Sequence, residues 1–345
     1  SNARWKDYQQ HFVQNDGRII DLNDTGKSTS EGQAYALFHA LVANDRTTFA
    51  SVLRWLQDNL AKGDLANNLP AWKWGKTDAD QWAVLEQNNA ADADLWIAYT
   101  LLEAGRLWQI PDYQTLGLAF LHHIQALEVE EAKGLGPVVL SAVHGFKLSD
   151  CQWRLNPSYF PIQLFRGLAS HDPKGPWNEL ATTSAAILIG SSPKGVAPDW
   201  IVYDPTQGFI PDKDTGDIGS YDAIRVYLWL GMLSDQDPLK APLVKHMQYQ
   251  CDSSCWPPTE TRTLSGVRYG EGSAGFKAAV LPWLTASSQD QCLQTTLAAL
   301  QTSKAPTPPN YYDENLTLFA LGWHEQAFRF DRDGRLQPAW KTTCP

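Results

Sequence analysis

The sequence predicts an all-α architecture, an (α/α)6 toroid of six helical hairpins arranged as an inner and an outer ring. Three observations carry this. Helical periodicity dominates the 345 residues, in two kinds of segment: some with one apolar stripe, others apolar nearly all round. The two kinds alternate along the chain. Candidate buried helices starting near Glu31, Asp92, Pro157 and Ser220 are spaced by 61, 65 and 63 residues, a period suited to one helical hairpin plus a long loop.

In chain order, residues 5–13 can supply an outer helix, and the first inner helix starts near Glu31. Phe49, Val52, Leu53, Leu56 and Leu60 then give an amphipathic outer helix from Arg46. Residues 93–104 have little polar stripe, as an inner helix buried on both sides requires, and this helix opens near Asp92. Pro111 is a favourable first helical position, and Tyr113, Leu116, Phe120, Ile124 and Leu127 form the next outer stripe. An inner start near Pro157 and an outer one near Gly175 follow. β-alternation is confined to short loop stretches such as residues 200–203. Residues 223–232 are again apolar all round, with an inner start near Ser220 and an outer one near Asp237. The last two inner helices start near Ala274 and Asp313, with an outer helix between them near Gln289. No break in composition marks a second domain, so residues 4–345 are read as one domain. Ser1-Asn2-Ala3 reads as the remnant of a cleaved tag, and a periplasmic or secreted location is expected, with a signal peptide already removed.

Composition excludes several classes. With 43% hydrophobic and 19% charged residues the chain is not intrinsically disordered. A net charge of −10 without any Lys/Arg run argues against a nucleic-acid partner. No apolar run approaches the roughly 20 residues a membrane helix needs, so membrane insertion is not expected. Five cysteines are too few for a disulfide scaffold; Cys251 and Cys255 could close a small loop in an oxidising compartment. The eight histidines lack metal-ligand spacing, so neither a metal nor a cofactor is expected. Fifteen tryptophans against two methionines leave two readings, carbohydrate stacking or core filling.

Three acids stand at inner-helix starts, and each has an ordinary structural alternative. Ser28 and Glu31 have capping-box spacing. Asp92, in Asn88-Asn89-Ala90-Ala91-Asp92-Ala93-Asp94, suits an N-cap or a first-turn acid. Asp222 can pair with Arg225 at i+3. In a toroid, however, parallel inner helices bring all three acids to one mouth. Converging carboxylates repel, so their convergence needs a functional reason. Paired carboxylates flanking a bond are the apparatus of glycoside hydrolysis: one holds a proton for the leaving oxygen and the other activates water. Trp55, Trp96, Trp108, Trp229, Trp283 and Trp323 lie within helical patterns and read as core. Trp72, Trp74, Trp82, Trp153, Trp200 and Trp256 lie in loops, where indoles could stack on sugar rings. Tyr159 opens the third inner helix and would reach the same mouth.

These blocks resemble glycoside hydrolase family 8 over essentially the whole chain, and within it the periplasmic endo-1,4-β-glucanases encoded with bacterial cellulose synthase. The resemblance rests on Thr29-Ser30-Glu31-Gly32-Gln33, Trp72-Lys73-Trp74, Asp92-Ala93-Asp94-Leu95-Trp96-Ile97-Ala98, Asn156-Pro157-Ser158-Tyr159-Phe160, Tyr221-Asp222-Ala223-Ile224-Arg225 and Tyr311-Tyr312-Asp313-Glu314-Asn315-Leu316, in that order. It implies an (α/α)6 barrel in which Glu31 is the general acid and Asp222 the general base. Asp92 would bind and orient the sugar at the cleavage point. Arg225 and Tyr159 would help to position the base and its water, and Trp72 and Trp74 would stack on sugar rings. The signature departs at Ala91, where Ser or Thr is usual, and at Thr100, where Ser or Ala is usual; neither change removes a carboxylate. The implied reaction inverts the anomeric configuration, with catalytic carboxyls roughly 6.5–9.5 Å apart. The implied partner is a β-1,4-glucan chain cut by a monomer, with the cellulose synthase machinery as a further partner. Rival readings keep the fold and change the substrate to xylan, mixed-linkage glucan or chitosan, or remove catalysis and leave a glucan-binding component of cellulose export.

Overall fold

Thirteen helices alternate between an inner and an outer ring in the computed structural model, which describes residues 2–249 and 253–340. They are α1 (Asn2–Phe12), α2 (Ser30–Val42), α3 (Arg46–Leu60), α4 (Ala91–Trp108), α5 (Pro111–Glu128), α6 (Ile162–His171), α7 (Trp177–Ser191), α8 (Ile224–Met232), α9 (Lys240–His246), α10 (Ala274–Ala279), α11 (Leu281–Ala286), α12 (Asp290–Thr302) and α13 (Tyr311–His324). The inner ring closes by successive packing of α2 on α4, α4 on α6, α6 on α8, α8 on α11, α11 on α13 and α13 back on α2. Each outer helix covers a neighbour: α3 on α2, α5 on α4, α7 on α6, α9 on α8, α12 on α11 and α1 on α13. The (α/α)6 arrangement is therefore as the alternation predicts, and one apolar cluster runs continuously from Trp5 to Leu336.

The two kinds of helix differ in the expected way. Thirteen residues of α4 from Ala91 to Glu103 are all buried, whereas α3 buries only Phe49, Val52, Leu53, Trp55, Leu56 and Leu60. Aromatic rings fill the centre of the ring. Trp96 meets Tyr35, Phe38, Trp229 and Phe319 at centroid distances of 5.1–6.1 Å, mostly edge-on or tilted, the arrangements that ring quadrupoles favour. The six helical tryptophans are all buried, as their positions in the pattern imply.

Two inner elements are not single continuous helices, each because of a proline. The third does not begin as an α-helix at Pro157: residues Pro157–Tyr159 make one 3-10 turn, and α6 starts only at Ile162. Pro161 disfavours the helical conformation at Phe160 and so interrupts the chain there. The fifth is split into α10 and α11, the second of which carries Pro282 in its first turn. Gly231 of α8 lets that segment approach closely, since a Cβ there would lie 2.4 Å from the Pro282 carbonyl carbon.

The fourteen strands among the described residues are all short and lie in the loops. They form the sheets β1 (Ser28–Thr29), β2 (Lys73–Lys76) and β3 (Trp82–Glu86); β4 (Val129–Ala132) and β5 (Gly136–Val139); β6 (Lys147–Ser149), β7 (Gln152–Leu155), β8 (Ile201–Asp204) and β9 (Gly208–Pro211); β10 (Ile218–Gly219), β11 (Glu260–Arg262) and β12 (Arg268–Tyr269); and β13 (Phe328–Phe330) with β14 (Leu336–Pro338). All of the pairings are antiparallel. The small Cys251–Cys255 loop expected from spacing does not form. Cys255 instead bonds to Cys292, 37 residues away, tying the loop after α9 to the first turn of α12. Cys251 lies outside the described residues, and Cys151 is free and exposed.

Candidate active site

Arg225 is the hub at which the three acids meet. It sits in the first turn of α8, is only 3% exposed, and spreads its guanidinium beneath the mouth of the inner ring. Its Nη1 donates to Glu31 Oε2 at 2.8 Å, to Asp92 Oδ2 at 3.3 Å and to the Tyr35 hydroxyl at 3.3 Å. Its Nη2 donates to Asp222 Oδ1 at 2.6 Å and to Ser158 Oγ at 2.9 Å. A single planar fork thus binds Glu31 and Asp222 on different nitrogens, a geometry that lysine cannot supply.

Local structure explains how each acid reaches this fork. Glu31 is the second residue of α2, but the capping box with Ser28 does not form. Thr29 is the N-cap, and its hydroxyl accepts from Gly32 N at 3.0 Å. Ser28 is occupied elsewhere, donating to Ile19 O and accepting from Arg18. Glu31 is thereby free to face Arg225, with its other oxygen 3.5 Å from the Tyr311 hydroxyl. Gly32 leaves room for that tyrosine, because a Cβ there would lie 2.8 Å from its oxygen. Asp92 is not an N-cap either: Ala90 occupies that position without a side-chain bond, and Asp92 lies one residue into α4. Asp222 does pair with Arg225 at i+3, as its spacing allows, but it lies in the turn before α8, with a buried partner.

The electrostatics separate the acids. One guanidinium cannot neutralise three carboxylates gathered away from bulk water. Burial, with the negative charges of Asp92 and Asp222 working against Arg225, lifts the Glu31 pKa to about 7. Burial also raises that of Asp92, with Arg225 opposing the shift. Glu31 and Asp222 keep 23% and 34% of their side-chain surface accessible against 6% for Asp92, so solvent and substrate can reach the first two. Arg225 itself stays cationic: burial opposes its charge, but the anionic groups around it raise its pKa.

The predicted aromatic residues divide. Tyr159, in the 3-10 turn, lies with its ring 5.8 Å from the Arg225 guanidinium carbon and edge-on to Trp200. Trp74 lies in β2, and Trp72 directly precedes that strand. Thr29 pairs with Lys73, and Ser30 N donates to Trp72 O, so this segment borders the start of the Glu31 helix. Trp72 is half-buried, with its indole N–H on Glu86 at 2.8 Å and Lys73 over its ring. Trp74 packs edge-on against Trp55, and its indole N–H lacks a protein partner. Neither makes a hydrogen bond to Glu31, Asp92 or Asp222 among the described residues. Of the other loop tryptophans, Trp153 is buried in β7, whereas Trp82 is 45% exposed.

A model of the family described as "Glycosyl hydrolases family 8" matches residues 1–326. The chain belongs to glycosyl hydrolase family 8. This family 8 chain is 46% identical to an endoglucanase of Xanthomonas axonopodis pv. citri (strain 306), over 98% of its own length and 89% of the relative's. It is 42% identical to an endoglucanase of Salmonella typhi, over 99% of its length and 91% of that protein. The crystal structure of an endo-1,4-D-glucanase from Vibrio fischeri ES114 superposes with a TM-score of 0.90 at 40% identity, covering 99% of both chains.

Several residues around this family 8 site escape sequence reasoning. Tyr35 sits one helical turn after Glu31 and could have been found from the i+4 spacing. Ser158, Tyr311 and Tyr312 lie in blocks the sequence singles out, but nothing local assigns them contacts. The Tyr312 hydroxyl donates to the carbonyl of Tyr221, next to Asp222. Asp199 has no local signal at all. Its Oδ1 accepts from Ser220 N and Ala223 N, each at 2.8 Å, and so holds the turn that presents Asp222. Burial, reinforced by the Asp222 charge, raises the Asp199 pKa to about 6. Removing these acceptors with Asp199→Ala is expected to lower kcat/KM roughly 10- to 100-fold through misplacement of the turn. Asp199→Asn keeps an oxygen acceptor and should stay within a few-fold of wild type. Steady-state kinetics on the two folded variants checks this; equal losses would show that the charge, not the turn geometry, matters.

Proposed function

We propose that this family 8 hydrolase is an endo-1,4-β-glucanase that cuts internal bonds of cellulose with inversion, Glu31 acting as general acid and Asp222 as general base. The observation that carries the reading is the shared guanidinium: three carboxylates meet on one buried cation, and burial there lifts the Glu31 pKa to about 7. Such a group keeps its proton near neutral pH and can deliver it. Because Oε2 accepts from Arg225, the proton belongs on Oε1, the oxygen beside Tyr311.

In the proposed step that proton passes to the glycosidic oxygen as the C1–O bond breaks. Asp222 takes a proton from a water whose oxygen forms the new bond to C1 from the opposite face. Glu31 ends ionised and Asp222 protonated, and exchange with solvent through their accessible surface resets both. Asp92 orients the sugar at the cleavage point, Tyr159 lies over the guanidinium that steadies the base, and Trp72 and Trp74 extend the path of the glucan. The same reading places the enzyme in the periplasm or outside the cell, alongside cellulose synthesis.

Reducing-end release from carboxymethylcellulose, xylan and chitosan tests the substrate. Release is expected from the first, and turnover of xylan or chitosan in its place would overturn the choice of cellulose. Proton NMR of the first product should show the α-anomer. An initial β-anomer would overturn the attack of a base-activated water.

A further inference from the structure

Behind Asp92 lies a second pair of acids that the reaction does not touch. Asp94, on α4, and Glu128, the last residue of α5, are both fully buried, with 0% of their surface exposed. The Asn89 side chain bridges them. Its Nδ2 donates one hydrogen to Asp94 Oδ2 at 2.9 Å and the other to Glu128 Oε1 at 2.6 Å, while its Oδ1 accepts from Val143 N at 2.8 Å. The bond from Val143 settles which end of the amide is which. The two carboxyls are also within hydrogen-bonding contact of each other, and the oxygens left without a partner are one from each, Asp94 Oδ1 and Glu128 Oε2.

Two acceptors cannot bond to one another. If both groups were ionised, two like charges would face each other in the interior, and among the described residues neither has an ion-pair partner; the further charge felt by both is Asp92, which is also negative. A single proton resolves the conflict, giving one charge-assisted O–H···O bond between the two carboxyls. Burial raises both pKa values, that of Asp94 to about 7 and that of Glu128 well above its ordinary value; the bond between the two carboxyls lowers the former and raises the latter, which makes Glu128 the holder of the proton.

We propose that Asp94 and Glu128 form a buried acid–carboxylate pair sharing one proton, which, through Asn89, positions Asp92 for substrate. The surrounding bonds define what is held. The start of α4 has no side-chain cap, since Ala90 occupies that position. Its place is set by Ala91 N donating to Ser141 O at 2.9 Å and by the Asn89–Asp94–Glu128 bridge, while Leu140 N donates to Glu128 O at 2.7 Å. The loop before α4, the first turn of α4, the end of α5 and residues 140–143 are thereby tied around Asp92. Asp94 and Glu128 act on the sugar only through this frame, so they are positioning residues. The functional half of the proposal rests on the sugar-orienting role proposed for Asp92; the shared proton does not.

The proton is tested first, by infrared difference spectroscopy of wild type against Glu128→Gln at pH 8, where Glu31 and Asp199 are ionised. Glutamine can donate to an ionised Asp94 in the same geometry, so the variant should fold. The difference spectrum should contain the carbonyl stretch of one protonated carboxyl, shifted by deuterium exchange; its absence would overturn the shared proton. Positioning is tested by titrating cellopentaose into proteins carrying Glu31→Gln, so that no turnover occurs. Adding Glu128→Gln should leave the affinity within a few-fold, whereas adding Glu128→Ala should weaken it at least tenfold. Should the alanine variant not fold, Asn89→Ser removes the bridging donors while leaving both carboxyls and carries the same expectation. Undiminished affinity in the truncated protein would overturn the positioning role. If Asp92 does not bind sugar, Asp92→Asn will leave affinity unchanged too while the carboxyl band persists, which separates failure of that reading from failure of this one.

Discussion

Glu31→Gln is expected to lower kcat by about 10²- to 10⁴-fold, the range associated with loss of a positioned general acid. The amide keeps an oxygen for the 2.8 Å bond from Arg225, so folding and oligosaccharide binding should be largely retained. The pH dependence gives a second readout. With a folded-state pKa of about 7, kcat/KM of the wild type should fall as pH rises through 7, when the donor loses its proton, and the residual activity of the variant should lack that limb. Stability moves in the same window. The shift is upward from the usual 4.5, so between that value and about 7 the folded state holds a proton that the unfolded chain has released. The Glu31 contribution therefore becomes less favourable as pH rises, by up to about 1.4 kcal/mol per pH unit. Urea denaturation of both proteins at pH 5, 6, 7 and 8 should show the wild type losing stability relative to Glu31→Gln across this interval. Near wild-type hydrolysis by the variant would remove Glu31 from the role of acid.

The ring of helices is legible in the sequence because burial dictates it: a helix covered on both sides must be apolar all round, and a helix covered on one side needs a single stripe. Both patterns survive reading without coordinates, and the six hairpins follow from their alternation. The starts shift where a proline has two local solutions. Pro157 could have opened α6, but Pro161 four residues later interrupts the chain, so a 3-10 turn intervenes. The Ser28–Glu31 spacing illustrates the opposite error: a valid capping pattern that the adjacent Thr29 satisfies instead, leaving Glu31 for Arg225. Taken singly, the acids at the helix starts were ambiguous, and the toroid made them convergent. Asp199, Tyr311 and the Asn89 bridge were invisible because their partners are set by tertiary closure; Tyr311 meets Glu31 across 280 residues of chain. The Cys255–Cys292 bond is of the same kind, since short spacing favours the neighbouring cysteine while the fold supplies a distant one.

Arg225→Met is expected to be the most destabilising single change at the site. Methionine fits the apolar stem of the arginine but leaves Asp92, 6% exposed, and the partly covered Glu31 and Asp222 without their common cation. Removing one partner of a buried ion pair costs about 3–5 kcal/mol because the other charge remains desolvated. The carboxyls can escape part of that cost by binding protons, which sets the sign of the pH dependence. Without Arg225 the charge that lowers the pKa values of Glu31 and Asp92 is gone, so both rise further above those of the unfolded chain. The folded variant then binds more protons than the unfolded chain over a wider range, and its stability must fall with rising pH more steeply than that of the wild type. Chemical denaturation at pH 5 and pH 8 should show a deficit that is small at the lower pH and large at the higher one. Arg225→Lys separates charge from geometry. One ammonium restores a cation and hence much of the stability, but it cannot place Nη1 on Glu31 and Nη2 on Asp222 together, so kcat should remain at least tenfold below wild type. A methionine variant with the same deficit at both pH values would mean that Glu31 and Asp92 do not depend on the guanidinium for their ionisation, and the basis for placing the transferable proton on Glu31 would go with it.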